Sequence, residues 1–179
     1  VFPEWISITS VKNRDGDVTN YVATFIDITE RKAAESEIEY LALYDQLTRL
    51  PNRRLLLDRL QQALAASVRS GTEGALLFID LDNFKDLNDT LGHDKGDLLL
   101  KLNAERLSAC VREGDTLARL GGDEFVMMIE GLSAIPEEAA AQSKLIGEKI
   151  LRALNQPYPL AGRELHSTPS IGVTLFSEI

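Results

Sequence analysis

The spacing of apolar and polar residues changes several times along this chain, and each spacing predicts an element. Residues 5–13 and 18–28 are rich in β-branched and aromatic side chains, with Arg14, Asp15, Gly16 and Asp17 between them. Asp-Gly between two such runs predicts a β-hairpin, and a lone hairpin is marginal in water, so a larger parent sheet is expected. A charged, alanine-rich stretch free of Gly and Pro comes next, RKAAESEIEYLALYD, with Thr29 placed to cap it. Ile28, Ala34, Ile38 and Leu41 form a narrow apolar stripe along this predicted helix. Two readings fit the stripe: a solvated linker helix, and a coiled coil that passes a signal to the domain after it.

A main domain is expected from about Tyr44. Pro51 and Asn52 end one segment and cap a helix that places Leu57, Leu60, Leu64 and Val68 on one face. After a loop at 70–74, ALLFID (75–80) is almost continuously apolar, which predicts a strand buried on both sides. Helical sequence runs from about Asn83 to Arg112, broken near Gly92 and His93, and its second half aligns Leu100, Ala104, Leu107 and Val111. Two apolar runs then flank Gly121 and Gly122, the signature of a tight hairpin. A helix from Pro136 to Leu154 should bury Ile146 and Ile150, and strands are expected at 157–160 and 165–176. Pro169 and Gly172 suggest a bulge or a sheet edge in the last of these. This order predicts an α/β (α+β) domain, an antiparallel-rich sheet flanked by helices, behind an N-terminal β-hairpin and linker helix.

Composition narrows the functions open to such a fold. The 179 residues hold 28 acidic and 19 basic side chains, a net charge of −9 that argues against nucleic acid as a partner. A small anion held together with metal ions stays compatible with that charge. Cys110 is the single cysteine, which excludes an internal disulfide and fits a reducing, cytoplasmic compartment. No apolar run has the length of a membrane span. The chain opens directly on strand-like sequence and closes at SIGVTLFSEI, so it reads as a fragment of a longer protein whose anchoring stays open.

The chemistry concentrates at two places. Asp80 follows Leu76-Leu77-Phe78-Ile79 directly, while Asp123 and Glu124 sit side by side at the tip of the glycine hairpin. If the two strands are neighbours, these carboxylates converge and repel, and hard divalent cations with phosphate oxygens relieve such a site. Lys85 lies where a helix N-terminus can meet an anion, and Asn88 and Asp97 offer donors and acceptors suited to a guanine edge. Taken singly, Lys85 reads first as a surface lysine, Asn88 and Asp97 as loop or helix-start residues, and Asp80 as a polar strand end.

Four blocks taken together resemble the GGDEF domain, the diguanylate cyclase family, over roughly residues 42–176. They are DQLTRLPNR (45–53), FIDLDNFK (78–85) with Asn88 and Asp89, Gly92-His93-Asp94 with Gly96-Asp97, and RLGGDEF (119–125). The resemblance implies a palm-like fold related to nucleotide cyclases, which joins two GTP into cyclic di-GMP and releases pyrophosphate. Carried onto this chain, Asp80, the Leu81 carbonyl and Asp123 would hold two Mg²⁺ ions per active site. Asn88 and Asp97 would read guanine, with His93 close to the nucleotide. Phe84 and Lys85 would meet the phosphates, and Gly121 and Gly122 would leave room for the nucleotide. Asp123, with Glu124 beside it, would help deprotonate the attacking ribose 3′-hydroxyl. Because each domain holds one GTP, a homodimer is required at least transiently.

Arg112 and Asp115 match the family's RxxD product-inhibition site, at its usual distance before Gly121, and would bind cyclic di-GMP. Residues 1–28 resemble the last strands of a PAS sensor domain, 29–43 a signalling linker helix, and 44–179 a C-terminally truncated GGDEF domain. Arg49 stands where glycine is more usual. The family continues with a helix bearing basic residues, so this chain is expected to bind GTP weakly and to turn over poorly. The alternative is a non-catalytic GTP- or cyclic di-GMP-binding domain that controls an attached EAL phosphodiesterase, which the linker wording also suggests for the parent.

Overall fold

Antiparallel pairing organises everything that positions the candidate site. The computed structural model describes residues 4–160 and 162–177, so the last two residues of the expected domain lie outside them. The chain divides into two compact units, residues 1–42 and 43–179.

In the first unit β1 (Glu4–Lys12) and β2 (Val18–Asp27) pair antiparallel, with a bulge between Val11 and Lys12. Asn13 Oδ1 accepts from the amides of Asp15 and Asp17, and Gly16 takes φ +93°, which closes the predicted turn. Ile6, Ile8, Tyr21 and Phe25, which share one face of the ribbon, are all exposed. Helix α1 (Thr29–Leu43) comes next, and its cap differs from expectation: the Thr29 amide donates to Asp27 Oδ1 at 2.8 Å. Aspartate is as good a capping acceptor as threonine, and Asp27, two residues before Thr29, reaches this first-turn amide. Ile38 and Leu41 are exposed on α1.

The second unit is a four-stranded antiparallel sheet in the order β4-β5-β3-β8. Its strands are β3 (Gly74–Leu81), β4 (Thr116–Gly121), β5 (Glu124–Ile129) and β8 (Pro169–Phe176). Helices α4 (His93–Ser108) and α5 (Pro136–Leu154) cover one face, where Leu77, Ile79, Leu99, Leu107, Ile150 and Leu154 are fully buried. Each such side chain contributes about 1.5–3 kcal/mol of burial. Helix α2 (Arg53–Ser70) lies on the other face, against Ala118, Val126 and Met128. Asn52 caps α2 as expected, accepting from the amides of Arg54 and Leu55. Helix α3 (Phe84–Leu91) links β3 to α4, and a small β6 (Tyr158–Leu160) and β7 (Arg163–Leu165) pair completes the unit.

Four expectations are corrected. The buried face of α2 is Leu56, Leu60, Ala63 and Ser67, whereas Leu57, Leu64 and Val68 are exposed. Small residues at 63 and 67 let the helix lie close to the sheet, which a count of large apolar side chains cannot anticipate. Strand β3 is buried on one face only: Phe78 is 47% exposed, because the α2 contact extends over Leu76 but stops short of it. Helix α4 ends at Ser108, so Arg112 belongs to a turn closed by the Asp115 amide donating to its carbonyl. The final strand divides into β7 and β8, and β8 is an edge strand in continuous register with β3, without a bulge. Among the described residues no helix is long and apolar enough to cross a membrane.

Candidate functional site

The hairpin sets the geometry. Strands β4 and β5 pair Arg119 with Phe125 and then Gly121 with Glu124, which bulges Leu120 and leaves Gly122-Asp123 as a two-residue turn. Gly121 has φ +143° and Gly122 φ +52°, conformations that favour glycine. Strand β3 pairs with β5 so that Ile79 faces Phe125. One step further along, Asp80 therefore stands level with the hairpin tip. Its carboxyl is pushed above the usual range, first by burial and then by the negative charges of Asp123, Glu124 and Asp82. The predicted convergence is thus present. Leu81, the last residue of β3, buries its side chain, so only its backbone can serve the site.

Among the described residues no three His, Cys, Asp or Glu side chains form a ready cage for a metal ion. Mg²⁺ needs only one or two carboxylates when substrate phosphates complete its shell, and Asp80, Asp123 and the Leu81 carbonyl would make such a smaller oxygen set. The group fits. Asp82 is committed elsewhere: its carboxylate accepts from Thr168 Oγ1 at 2.6 Å and Ser170 Oγ at 2.7 Å, and its amide donates to the Thr168 carbonyl at 2.8 Å. The Thr168 and Ser170 hydroxyls hold this carboxyl below the usual range. These bonds tie the β3–α3 turn to the start of β8, and Asn83 completes the turn at φ +56°. Replacing Asp82 with Ala is expected to cost about 1–2 kcal/mol for this half-exposed pair of charge-assisted bonds, read from a thermal melt.

A cleft of about 530 Å³ opens beside these carboxylates, lined by Arg53, Phe78, Asp80, Glu124, Ser170 and Gly172. Phe84 is buried at the start of α3 while Lys85 is exposed, and Asn83 makes no side-chain cap to this helix. The first-turn amides of α3 therefore find no side-chain acceptor in their cap residue. Asn88 Oδ1 is buried and has no hydrogen-bond partner among the described residues. His93 and Asp97 are exposed on the first two turns of α4.

Sequence reasoning missed the residues that hold the hairpin. Arg119 donates from Nε and Nη2 to the Gly122 carbonyl at 3.0 and 2.7 Å, and from Nη1 to both Asp45 oxygens at 2.9 and 3.0 Å. Asp45 also accepts from the Thr48 amide and hydroxyl, and the Arg119 amide donates to the Pro51 carbonyl. Burial raises the Asp45 carboxyl, but its bonds from Thr48 and Arg119 outweigh this and bring it below the usual range. Both residues stand in the four family blocks, yet 74 positions separate them, and no local spacing signals the pair.

Arg112 and Asp115 lie at the far end of β4, six residues or roughly 20 Å of strand from the hairpin tip. They are already paired: Arg112 Nε sits 3.2 Å from Asp115, its Nη2 donates to the Glu130 carbonyl at 2.7 Å, and the Asp115 side chain is only 4% exposed. Arg59 and Arg69 of α2 line the adjoining cleft.

The comparisons agree with this architecture. Residues 42–178 match the model of the family described as diguanylate cyclase, GGDEF domain. The chain is 46% identical over 153 residues to the bifunctional diguanylate cyclase/cyclic di-GMP phosphodiesterase MucR of Pseudomonas aeruginosa, an overlap of 86% of this chain and 22% of that protein. The GGDEF domain of YfiN from the same organism superposes with a TM-score of 0.69 at 37% identity, covering 74% of this chain and 75% of that one. DgcB of Caulobacter crescentus, solved as coiled coil and GGDEF domain with c-di-GMP, gives 0.72 at 26% identity over 84% and 78%. The chain spans about a fifth of the length of the curated relatives it matches. With its hairpin, its sheet order and its four sequence blocks accounted for, the chain belongs to the GGDEF family of diguanylate cyclase domains.

Proposed function

We propose that this domain joins two GTP into cyclic di-GMP with release of pyrophosphate, two copies meeting face to face with one GTP each. One observation carries the reading: Asp80 meets Asp123 and Glu124 at the mouth of a cleft, where burial and like charge work against its ionisation. Such a site calls for cations, and Asp80, the Leu81 carbonyl and Asp123 would hold Mg²⁺, two ions per site. When bound, these ions supply positive charge that stabilises the attacking and leaving oxygens of an in-line displacement.

The chain's own residues do the rest. Lys85 and the uncapped amides at Phe84 and Lys85 bind phosphate oxygens. Asn88 and Asp97 read the guanine edge, and His93 lies alongside the nucleotide. Gly121 and Gly122 present no side chains to it. The 3′-oxygen of one ribose bonds to the α-phosphorus of the other GTP, and the bond from that phosphorus to the leaving pyrophosphate breaks. The hydroxyl proton passes to the Asp123 carboxylate, with Glu124 beside it. A second, symmetric transfer closes the ring.

The same reading makes residues 1–28 the end of a PAS sensor and α1 the coiled coil that couples it to the cyclase, with an EAL phosphodiesterase domain in the parent. The bifunctional relative supports an attached phosphodiesterase, and the coiled-coil neighbour supports the role given to α1. Incubation with GTP and Mg²⁺, followed by chromatography, should give two pyrophosphates per cyclic di-GMP. Binding of nucleotide without any product would favour a regulatory domain instead.

Arg112 and Asp115 form the proposed product-inhibition site. Arg112 retains an unused Nη1, and its exposed guanidinium can exchange the Glu130 carbonyl for a phosphate. Replacing Arg112 with Ala is expected to weaken cyclic di-GMP binding at least about tenfold, by calorimetry, while GTP-analogue binding stays unchanged.

A further inference from the structure

Gly96 sits inside α4, where glycine is disfavoured relative to alanine. Its φ lies outside the left-handed region, so no backbone demand explains it. Space does explain it. A Cβ built on Gly96 would stand 1.8 Å from Asn88 Oδ1, 2.8 Å from Asn88 Cγ and 3.2 Å from Phe84 Cζ. The Asn88 amide thus fills the volume that any side chain at 96 would need, and its Oδ1 is buried there without a donor among the described residues. A buried, unpaired amide oxygen is costly, so it is the close fit against Gly96 that fixes where the Asn88 side chain stands.

We infer that Gly96 is a specificity-determining residue: it admits the Asn88 amide to the slot between α3 and α4 from which the base is selected. The inference rests on the guanine-reading role proposed for Asn88. Guanine presents two adjacent N–H donors on its pairing edge, whereas adenine presents one donor beside an acceptor. Acceptors on Asn88 and Asp97 therefore favour guanine, provided the amide stays in its slot. A methyl at 96 displaces the amide, so the preference between the two bases disappears even though the phosphates still bind.

The test is calorimetry on the whole chain, with Ca²⁺ and non-hydrolysable GTP or ATP analogues. Gly96→Ala is expected to lose at least about tenfold in GTP-analogue affinity, the worth of one good hydrogen bond, with ATP-analogue binding unchanged. The double variant Gly96→Ala/Asn88→Ala removes the colliding atoms. It should recover the melting temperature lost in Gly96→Ala, yet bind the GTP analogue as weakly as Asn88→Ala alone. If Gly96→Ala does not fold, this double variant carries the test. A Gly96→Ala chain with unchanged GTP affinity and base preference overturns the inference, as does a double variant that recovers no stability. A wild-type chain that binds no GTP analogue removes the functional reading, and this inference with it.

Discussion

Replacing Asp80 with Asn is expected to abolish cyclic di-GMP formation while raising the melting temperature. The two effects share one cause. Asp80 is held beside Asp123 and Glu124, and burial together with their charge makes its ionised form unfavourable in the fold. Asparagine keeps the shape and removes the charge, so the folded state gains stability as the site loses an oxygen ligand for cations. Loss of several kcal/mol of transition-state stabilisation corresponds to roughly 10³-fold or more in rate. The stability gain depends on pH in a definite direction. Because the folded carboxyl titrates above its unfolded value, the wild type recovers stability as pH falls through the raised pKa. The melting difference between Asp80→Asn and wild type should therefore be largest near neutrality and shrink on acidification. Equal melting temperatures at neutral pH, or a variant less stable than wild type, would refute the repulsion on which the site is built.

The second large effect falls on a residue that touches no substrate. Arg119 joins the Gly122 carbonyl to Asp45, with its side chain 10% and that of Asp45 21% exposed. Truncation to Ala leaves a largely buried carboxylate without its cation and removes the side-chain tie between the hairpin and Asp45, leaving the backbone bond from residue 119 to the Pro51 carbonyl. The expected cost is about 3 kcal/mol, or roughly 10 °C in melting temperature, together with a fall in turnover as Asp123 loses its fixed position. Lysine keeps the charge but cannot bond both partners through a planar fork, so Arg119→Lys should recover less than half of the loss. Asp45→Ala combined with Arg119→Ala should destabilise by less than the sum of the two. Asp45 also gives acid denaturation a component of opposite sign to Asp80. Its folded pKa is depressed, so the stability it confers is complete above its unfolded value and is lost as pH falls through the folded one.

Local chemistry was legible in the sequence, and contact across the chain was not. The hairpin at Gly121 and Gly122, the Asn52 cap and the break at Gly92 each arise from a few adjacent residues, and each stands where it was expected. The meeting of Asp80 with Asp123 needed only the assumption that two apolar strands are neighbours. The Asp45–Arg119 pair carries no such signal, because its partners belong to different elements and neither is unusual alone. Helix α2 misled for another reason. Its large residues Leu57, Leu64 and Val68 point outward, while Ala63 and Ser67 face the sheet because close approach favours small side chains. Gly96 reads as one more motif glycine until the position of Asn88 is known.

The measurement closest to the central claim is calorimetric titration of a non-hydrolysable GTP analogue into the wild-type chain and Asp123→Ala, each with and without Mg²⁺. If cations mediate between the carboxylates and the nucleotide, the wild type binds only when Mg²⁺ is present, and Asp123→Ala shows no metal-dependent binding. Binding by the wild type that is equal with and without Mg²⁺, or left intact by Asp123→Ala, would contradict it.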